Sequence, residues 1–260
     1  MATARIGDID VNYRIDGQGP WLTLSHPLAA DLEVWAPQMA LLTPHFRVLR
    51  YDTRGHGATS ATAAPYTLEQ LADDALGLFD HLGITQSHWV GLSMGGMIAQ
   101  VLALRRPGVL GKMVIADSTS RRAPNAAAMW GDRIALARAS GMSAIAPPTL
   151  DRWFMEPFRR ANPEVMAWIR GQIEGTSVEG YCGCCAAIAQ MDTLDRLKDI
   201  GSPALIIVGE HDHGTPAEMS RQMHSNWPGS RLRIIPDAAH ISNVEQAALF
   251  NAELAAFLGL

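Results

Sequence analysis

Cysteine is scarce in this chain and poorly spaced for a structural role. The three present, Cys182, Cys184 and Cys185, fall within one short stretch. An odd, clustered set argues against the disulfide framework of a secreted domain and suits a reducing compartment. It also argues against a zinc site, which usually wants four ligands in spaced pairs. The three read instead as small packed residues on a helix. Long apolar runs are missing too. No stretch reaches about 18 consecutive apolar residues, so no membrane span is expected. Like-charge runs are absent, and 21 basic against 26 acidic residues leave a formal net charge of −5. Phosphate binding wants a basic stripe, so nucleic acid is not expected as a partner. The opening "MATARIGDIDVNYRIDG" lacks the apolar core of a signal peptide, and a cytoplasmic address is expected. There Val11, Tyr13 and Ile15 alternate with polar residues, as in a strand.

What the chain does have is a rhythm of short apolar runs and longer helical patterns. The spacing predicts strands at Trp21–Ser25, Phe46–Asp52, His88–Ser93, Lys112–Asp117, Ala204–Glu210 and Arg231–Pro236. Most are near-continuously apolar, the pattern of parallel strands covered on both faces. Helices are predicted over Thr67–Gly83, Met94–Arg106, Pro216–Asn226 and Glu245–Leu258. The first shows Leu68, Leu71, Ala75, Leu78 and Leu82 on one face before a terminal glycine. This order predicts an α/β fold with a mostly parallel, doubly wound sheet. From Arg121 to Asp195 no strand is evident, only helical patterns cut by Pro147-Pro148, Pro157 and Pro163. That stretch is rich in large apolar groups and reads as a helical cap. Residues 1–120 and 196–260 then form the core, with 121–195 inserted.

The stretch Gly91-Leu92-Ser93-Met94-Gly95 is a G-x-S-x-G sequence between a predicted strand and a predicted helix. A sharp strand–turn–helix bend strains its central residue and crowds the neighbours two before and two after, which must then be tiny. What it gains is an exposed hydroxyl over a helix N-terminus, where N–H groups favour negative charge. A serine nucleophile needs a base, and the base needs an orienting group. "ALIIVGE" is followed by His211-Asp212-His213, and "RLRIIPDAA" by His240. The order Ser93, Asp212, His240 suits this bend. Asp117, also at a strand end, competes with Asp212 for the acid role. His211, Asp212 and His213 are too close in sequence to converge on one metal ion from an ordinary turn.

With these residues in view, the chain resembles the α/β-hydrolase fold superfamily over nearly its whole length. The matching strings are "SHPLAADLEVW", "YDTRGHGATS", "GLSMGG", "GEHDHGTP" and "AAHISNVEQ". Within it the chain is most similar to 3-oxoadipate enol-lactonases, through "PYTLEQLADDALGLFDHLG", "GLSMGGMIAQ", "ADSTS", "MWGDRIALA" and "HISNVEQAALFNAELAAFL". The resemblance implies an α/β-hydrolase fold with a helical cap and a serine hydrolase of small esters or lactones, with no cofactor. It casts Ser93 as nucleophile, His240 as base and Asp212 as acid. Backbone N–H groups of Met94 and Leu28 would form the oxyanion hole. Related hydrolases carry His-Gly where this chain has His26-Pro27, and Pro27 has no N–H to give. Trp130, His26 and Arg133 are candidate substrate contacts, and an enol-lactone carboxylate would want one of Arg121, Arg122, Arg133 or Arg138. His56 is read as a brace near the site, and His45, His81, His88 and His224 as surface or packing residues. Two other readings share the pattern, a cofactor-free perhydrolase or haloperoxidase and a ligand-binding receptor on the same scaffold.

Overall fold

A computed structural model describes residues 2–260. An eight-stranded sheet runs through the molecule in the order β1-β2-β4-β3-β5-β6-β7-β8. In chain order the strands are β1 (Ala2–Ile6), β2 (Ile9–Asp16), β3 (Trp21–Ser25), β4 (Arg47–Tyr51), β5 (Ser87–Leu92), β6 (Leu110–Ala116), β7 (Ala204–Gly209) and β8 (Arg231–Ile235). β1 and β2 form an antiparallel hairpin, β2 pairs antiparallel with β4, and the remaining pairs are parallel. The parallel strands are apolar because helices cover both of their faces. β7 is buried along its whole length, whereas β8, at the edge, exposes Arg231 and Arg233.

The core helices are α1 (Ala36–Leu42), α2 (Leu68–Leu82), α3 (Met94–Arg105), α8 (Ala217–Asn226), α9 (Ser242–Glu245) and α10 (Ala247–Leu258); α4 to α7 lie between β6 and β7. α2 starts where the Thr67 hydroxyl accepts the Gln70 N–H at 3.1 Å, and stops at Gly83, whose φ is +68°. It buries Leu68, Leu71, Ala75 and Leu78, and Leu82 packs partly buried at its end. α3 is buried nearly all round, so its sequence shows no polar face. Two elements were not legible in the sequence: the edge strand β1 and the seven-residue α1. The expected final helix starts two residues later, at Ala247, and Glu245 belongs to the preceding α9. Glu245 ends α9, and its carboxylate accepts the N–H groups of Ala239 at 2.6 Å and Met155 at 2.7 Å. Ile15 is exposed at the far end of β2.

Between β6 and β7 stand α4 (Ala126–Trp153), α5 (Glu156–Ala161), α6 (Pro163–Gly175) and α7 (Val178–Ile188). α4 packs on α6 and α7. The expected break at Pro147-Pro148 falls elsewhere: α4 continues through both prolines and bends at Gly141, where φ is +72° and ψ −179°. A residue with a Cβ rarely adopts those angles, so the glycine takes the bend and leaves two helical arms. Pro157 and Pro163 sit in the first turns of α5 and α6, where their missing N–H costs nothing. Cys182, Cys184 and Cys185 are buried free thiols on α7. Among the described residues no helix is long and apolar enough to cross a membrane.

Candidate active site

Ser93 occupies the bend between β5 and α3, with φ +52° and ψ −110°. For a non-glycine residue those angles cost about 1–3 kcal/mol. The surroundings hold them in place. The Ser93 N–H donates to the Ala116 carbonyl at 2.8 Å. Its carbonyl accepts from the Gly96 and Met97 N–H groups and from the Ser118 hydroxyl at 2.7 Å. A Cβ on Gly95 would collide with the Ser25 carbonyl, and one on Gly91 with the Gly95 carbonyl. Both positions admit only glycine because backbone presses on backbone there.

His240 and Asp212 come from the loops after β8 and β7. The Ser93 Oγ lies 2.9 Å from His240 Nε2, and His240 Nδ1 lies 2.8 Å from Asp212 Oδ2. A carboxylate only accepts, so Nδ1 carries the proton and Nε2 is left to accept from the serine hydroxyl. Asp212 also accepts N–H bonds from Gly214 and Thr215 and the Thr215 hydroxyl at 2.7 Å. Burial opposes its charge, but His240 and these donors hold its pKa below the usual carboxylate range. Burial likewise opposes a charged His240, and the Asp212 carboxylate outweighs it, so the imidazole pKa is raised.

Asp117 is buried close by but does not meet His240. It accepts the Gly209 N–H at 2.8 Å and sits 2.5 Å from the Ser242 hydroxyl, tying β7 to the head of α9. Burial and the nearby Asp212 charge push its pKa up to about 8.

His26 is corrected as a substrate contact. It is fully buried, and both ring nitrogens are engaged. Nδ1 donates to the Pro27 carbonyl at 2.8 Å and Nε2 accepts the Thr53 N–H at 2.8 Å. Burial drops its pKa to about 4. His26 therefore stitches the loop after β3 to the loop after β4. Asp52 adds a second stitch, accepting the Leu32 and Ala58 N–H groups and the Asn12 amide. His56 is also fully buried, its ring 5.2 Å from that of His26.

A cavity of about 230 Å³ opens above Ser93. It falls just below the range common for ligand sites, about 300–1,000 Å³, and so suits a small molecule. Ser93, His240 and Leu28 form its floor, and Trp130, Arg133 and Trp153 contribute walls. The Arg133 guanidinium lies over the Trp130 ring at 4.5 Å. The Trp153 ring is 6.5 Å from that of His240. Of the four arginines considered from the sequence, only Arg133 lines the cavity. Arg121 is exposed and paired with Asp192 and Asp195.

Arg152, Tyr181 and Thr149 also line the cavity and were not singled out in the sequence. The signal was there: Thr149 and Arg152 are three apart and share a helical face once α4 is allowed to run through the prolines.

The sequence from residue 20 to 247 matches the family model for the alpha/beta hydrolase fold. Among curated proteins, the chain is 35% identical to 3-oxoadipate enol-lactonase 2 of Acinetobacter baylyi, over 94% of this chain and 91% of that protein. It is 29% identical to a putative carbamate hydrolase, RutD, of Agrobacterium fabrum, over 96% and 97% of the two chains. Among solved structures, the enol-lactonase from Burkholderia xenovorans LB400 superposes with a TM-score of 0.96 at 39% identity, covering all of both chains. The bend at Ser93, the mostly parallel eight-stranded sheet and these likenesses agree, and the chain belongs to the alpha/beta hydrolase fold family as an enol-lactonase-like hydrolase.

Proposed function

We propose that the protein is a serine hydrolase that opens a small ester or lactone through an acyl-enzyme. The observation that carries this reading is the unbroken chain of contacts from Ser93 Oγ through His240 to Asp212 at the floor of the cavity. Ser93 attacks the acyl carbon while His240 Nε2 takes its proton, and Asp212 holds the imidazolium that results. His240 then returns the proton to the leaving oxygen. Water repeats the sequence to free the acid.

The oxyanion would be held by the N–H groups of Met94 and Leu28. Met94 opens α3, where no helical carbonyl can reach its N–H. Leu28 lines the cavity beside Ser93. Each such donor is worth about 3 kcal/mol of barrier.

The substrate class supported best is a 3-oxoadipate enol-lactone or a close analogue. Trp130 offers an apolar wall and Arg133 a cation for its carboxylate. Residues 121–195 act as the cap over a core of 1–120 and 196–260. The buried, unpaired cysteines fit a cytoplasmic setting.

The test is Ser93→Ala, assayed on p-nitrophenyl acetate and on the enol-lactone. Activity on both should fall by roughly 10³-fold or more while the circular dichroism spectrum is kept. Full activity in a folded variant would remove Ser93 from the mechanism. A carbamate in the same assay would separate the two kinds of relative.

A further inference from the structure

Two arginines share the cavity without a counter-charge. Elsewhere, enclosed guanidinium groups are paired: Arg50 with Asp16 and Glu33, and Arg54 with Asp74 and Asp8. Arg133 and Arg152 both line the cavity, and among the described residues no aspartate or glutamate lines it with them. Arg133 is held by its stack on Trp130, and Arg152 by donating from Nη2 to the Thr149 hydroxyl at 3.1 Å. Burial and the charge of Arg133 push the Arg152 pKa down to about 10, a sign of like charges sharing a poorly solvated space. Such a pair opposes folding until a ligand brings the missing anions.

The two charges are also placed independently. Arg133 stands on the first arm of α4, before the bend at Gly141, and Arg152 on the second. The second arm is tied to the base loop. The Trp153 carbonyl accepts the Ile241 N–H at 3.2 Å, and Glu245 accepts the Met155 and Ala239 N–H groups. Arg152 is therefore held on the His240 side of the cavity, and Arg133 on the Trp130 side.

We propose that Arg133 and Arg152 form a two-cation site for a ligand carrying two carboxylates, with Arg152 the specificity-determining residue for the second. This rests on the reading of the cavity as the substrate site, and adds a second anion to the one already assigned to Arg133. The dicarboxylate either enters as such on the substrate or is made there. Hydrolysis of a lactone with one carboxylate breaks the acyl C–O bond, adds the elements of water, and leaves a second carboxylate in the same cavity.

The probes are adipate and monomethyl adipate, titrated calorimetrically into the wild-type protein and into Ser93→Ala. Adipate should bind roughly tenfold tighter or more than its monoester in both. Arg152→Gln should bring the two ligands to within about threefold of each other, and Arg152→Lys should restore part of the difference. Equal affinity for the two ligands, no binding of either, or an unchanged ratio in Arg152→Gln would overturn the proposal. Should Arg152→Gln not fold, the wild-type ratio serves: it should shrink as salt is raised, and a salt-independent ratio would overturn the proposal. Steady-state assays separate the two sources. A product site shows competitive inhibition by adipate while esters with one and two carboxylates turn over alike, whereas a substrate site favours the ester with two. Binding is read without turnover, so failure here leaves the Ser93 mechanism standing, and failure of that mechanism leaves the binding result standing.

Discussion

The Ser242 hydroxyl lies 2.5 Å from Asp117 Oδ2, so this buried carboxyl is committed to joining two loops while Asp212 faces His240. Asp117→Asn keeps an oxygen for the Gly209 N–H and places a donor toward Ser242. We expect it to cost less than about tenfold in kcat/KM. Asp212→Asn leaves His240 without the acceptor that sets its tautomer, and should cost about 10⁴-fold. Both are read with the same ester. The reverse ranking would make Asp117 the acid.

The pH profile follows from His240. In the proposed mechanism it works as a base only when neutral, and its pKa is raised above the ordinary 6.5 because the Asp212 charge outweighs burial. kcat/KM should therefore climb with pH through a midpoint above 6.5, measured with an ester whose hydrolysis is followed at fixed ionic strength. A midpoint below 6.5 would mean that Asp212 does not support the imidazolium.

His26 and His56 set the acid limit of stability. Burial lowers their pKa values to about 4 and about 3, and each is neutral in the fold. In the unfolded chain they bind protons near pH 6.5, so the stability they contribute is full above that value and is lost as pH falls toward 4. Two protons correspond to a slope of about 2.7 kcal/mol per pH unit, before the carboxylates add their own terms. Urea midpoints taken between pH 7 and pH 4.5 should show this fall, and His56→Phe should flatten part of it.

Gly95→Ala drives a methyl group into the Ser25 carbonyl, a backbone atom of the neighbouring strand. Overpacking against backbone should cost about 3 kcal/mol and lower the melting temperature by several degrees, with loss of ester hydrolysis as the bend opens. A stable, active Gly95→Ala would show that the bend has slack that the geometry denies it.

Much of the candidate site's geometry could be read from the chain because its determinants are local. The glycines around Ser93 and the loop after "ALIIVGE" adjoin strands with a strong apolar pattern, and His240 follows the alternating edge strand "RLRII". The elements that escaped are weakly patterned or set by distant contacts. β1 is a short edge strand, and α1 has only seven residues with Pro37 in its first turn. His26 sits in a string that suggests a pocket, yet its ring is claimed by Thr53 from the next loop. Arg152 was hidden because a proline pair looks like a stop, whereas packing carries the helix on to Trp153.

The bent α4 has the form of a caliper. One jaw is bolted to the loop that carries His240, the other is the arm before Gly141, and Gly141 sets the angle between them. If Arg133 and Arg152 hold two carboxylates as proposed, changing that angle would alter the length of acid that fits between them while the loop carrying His240 stays in place. In this architecture, preference for one chain length over another can drift through a residue that touches no substrate.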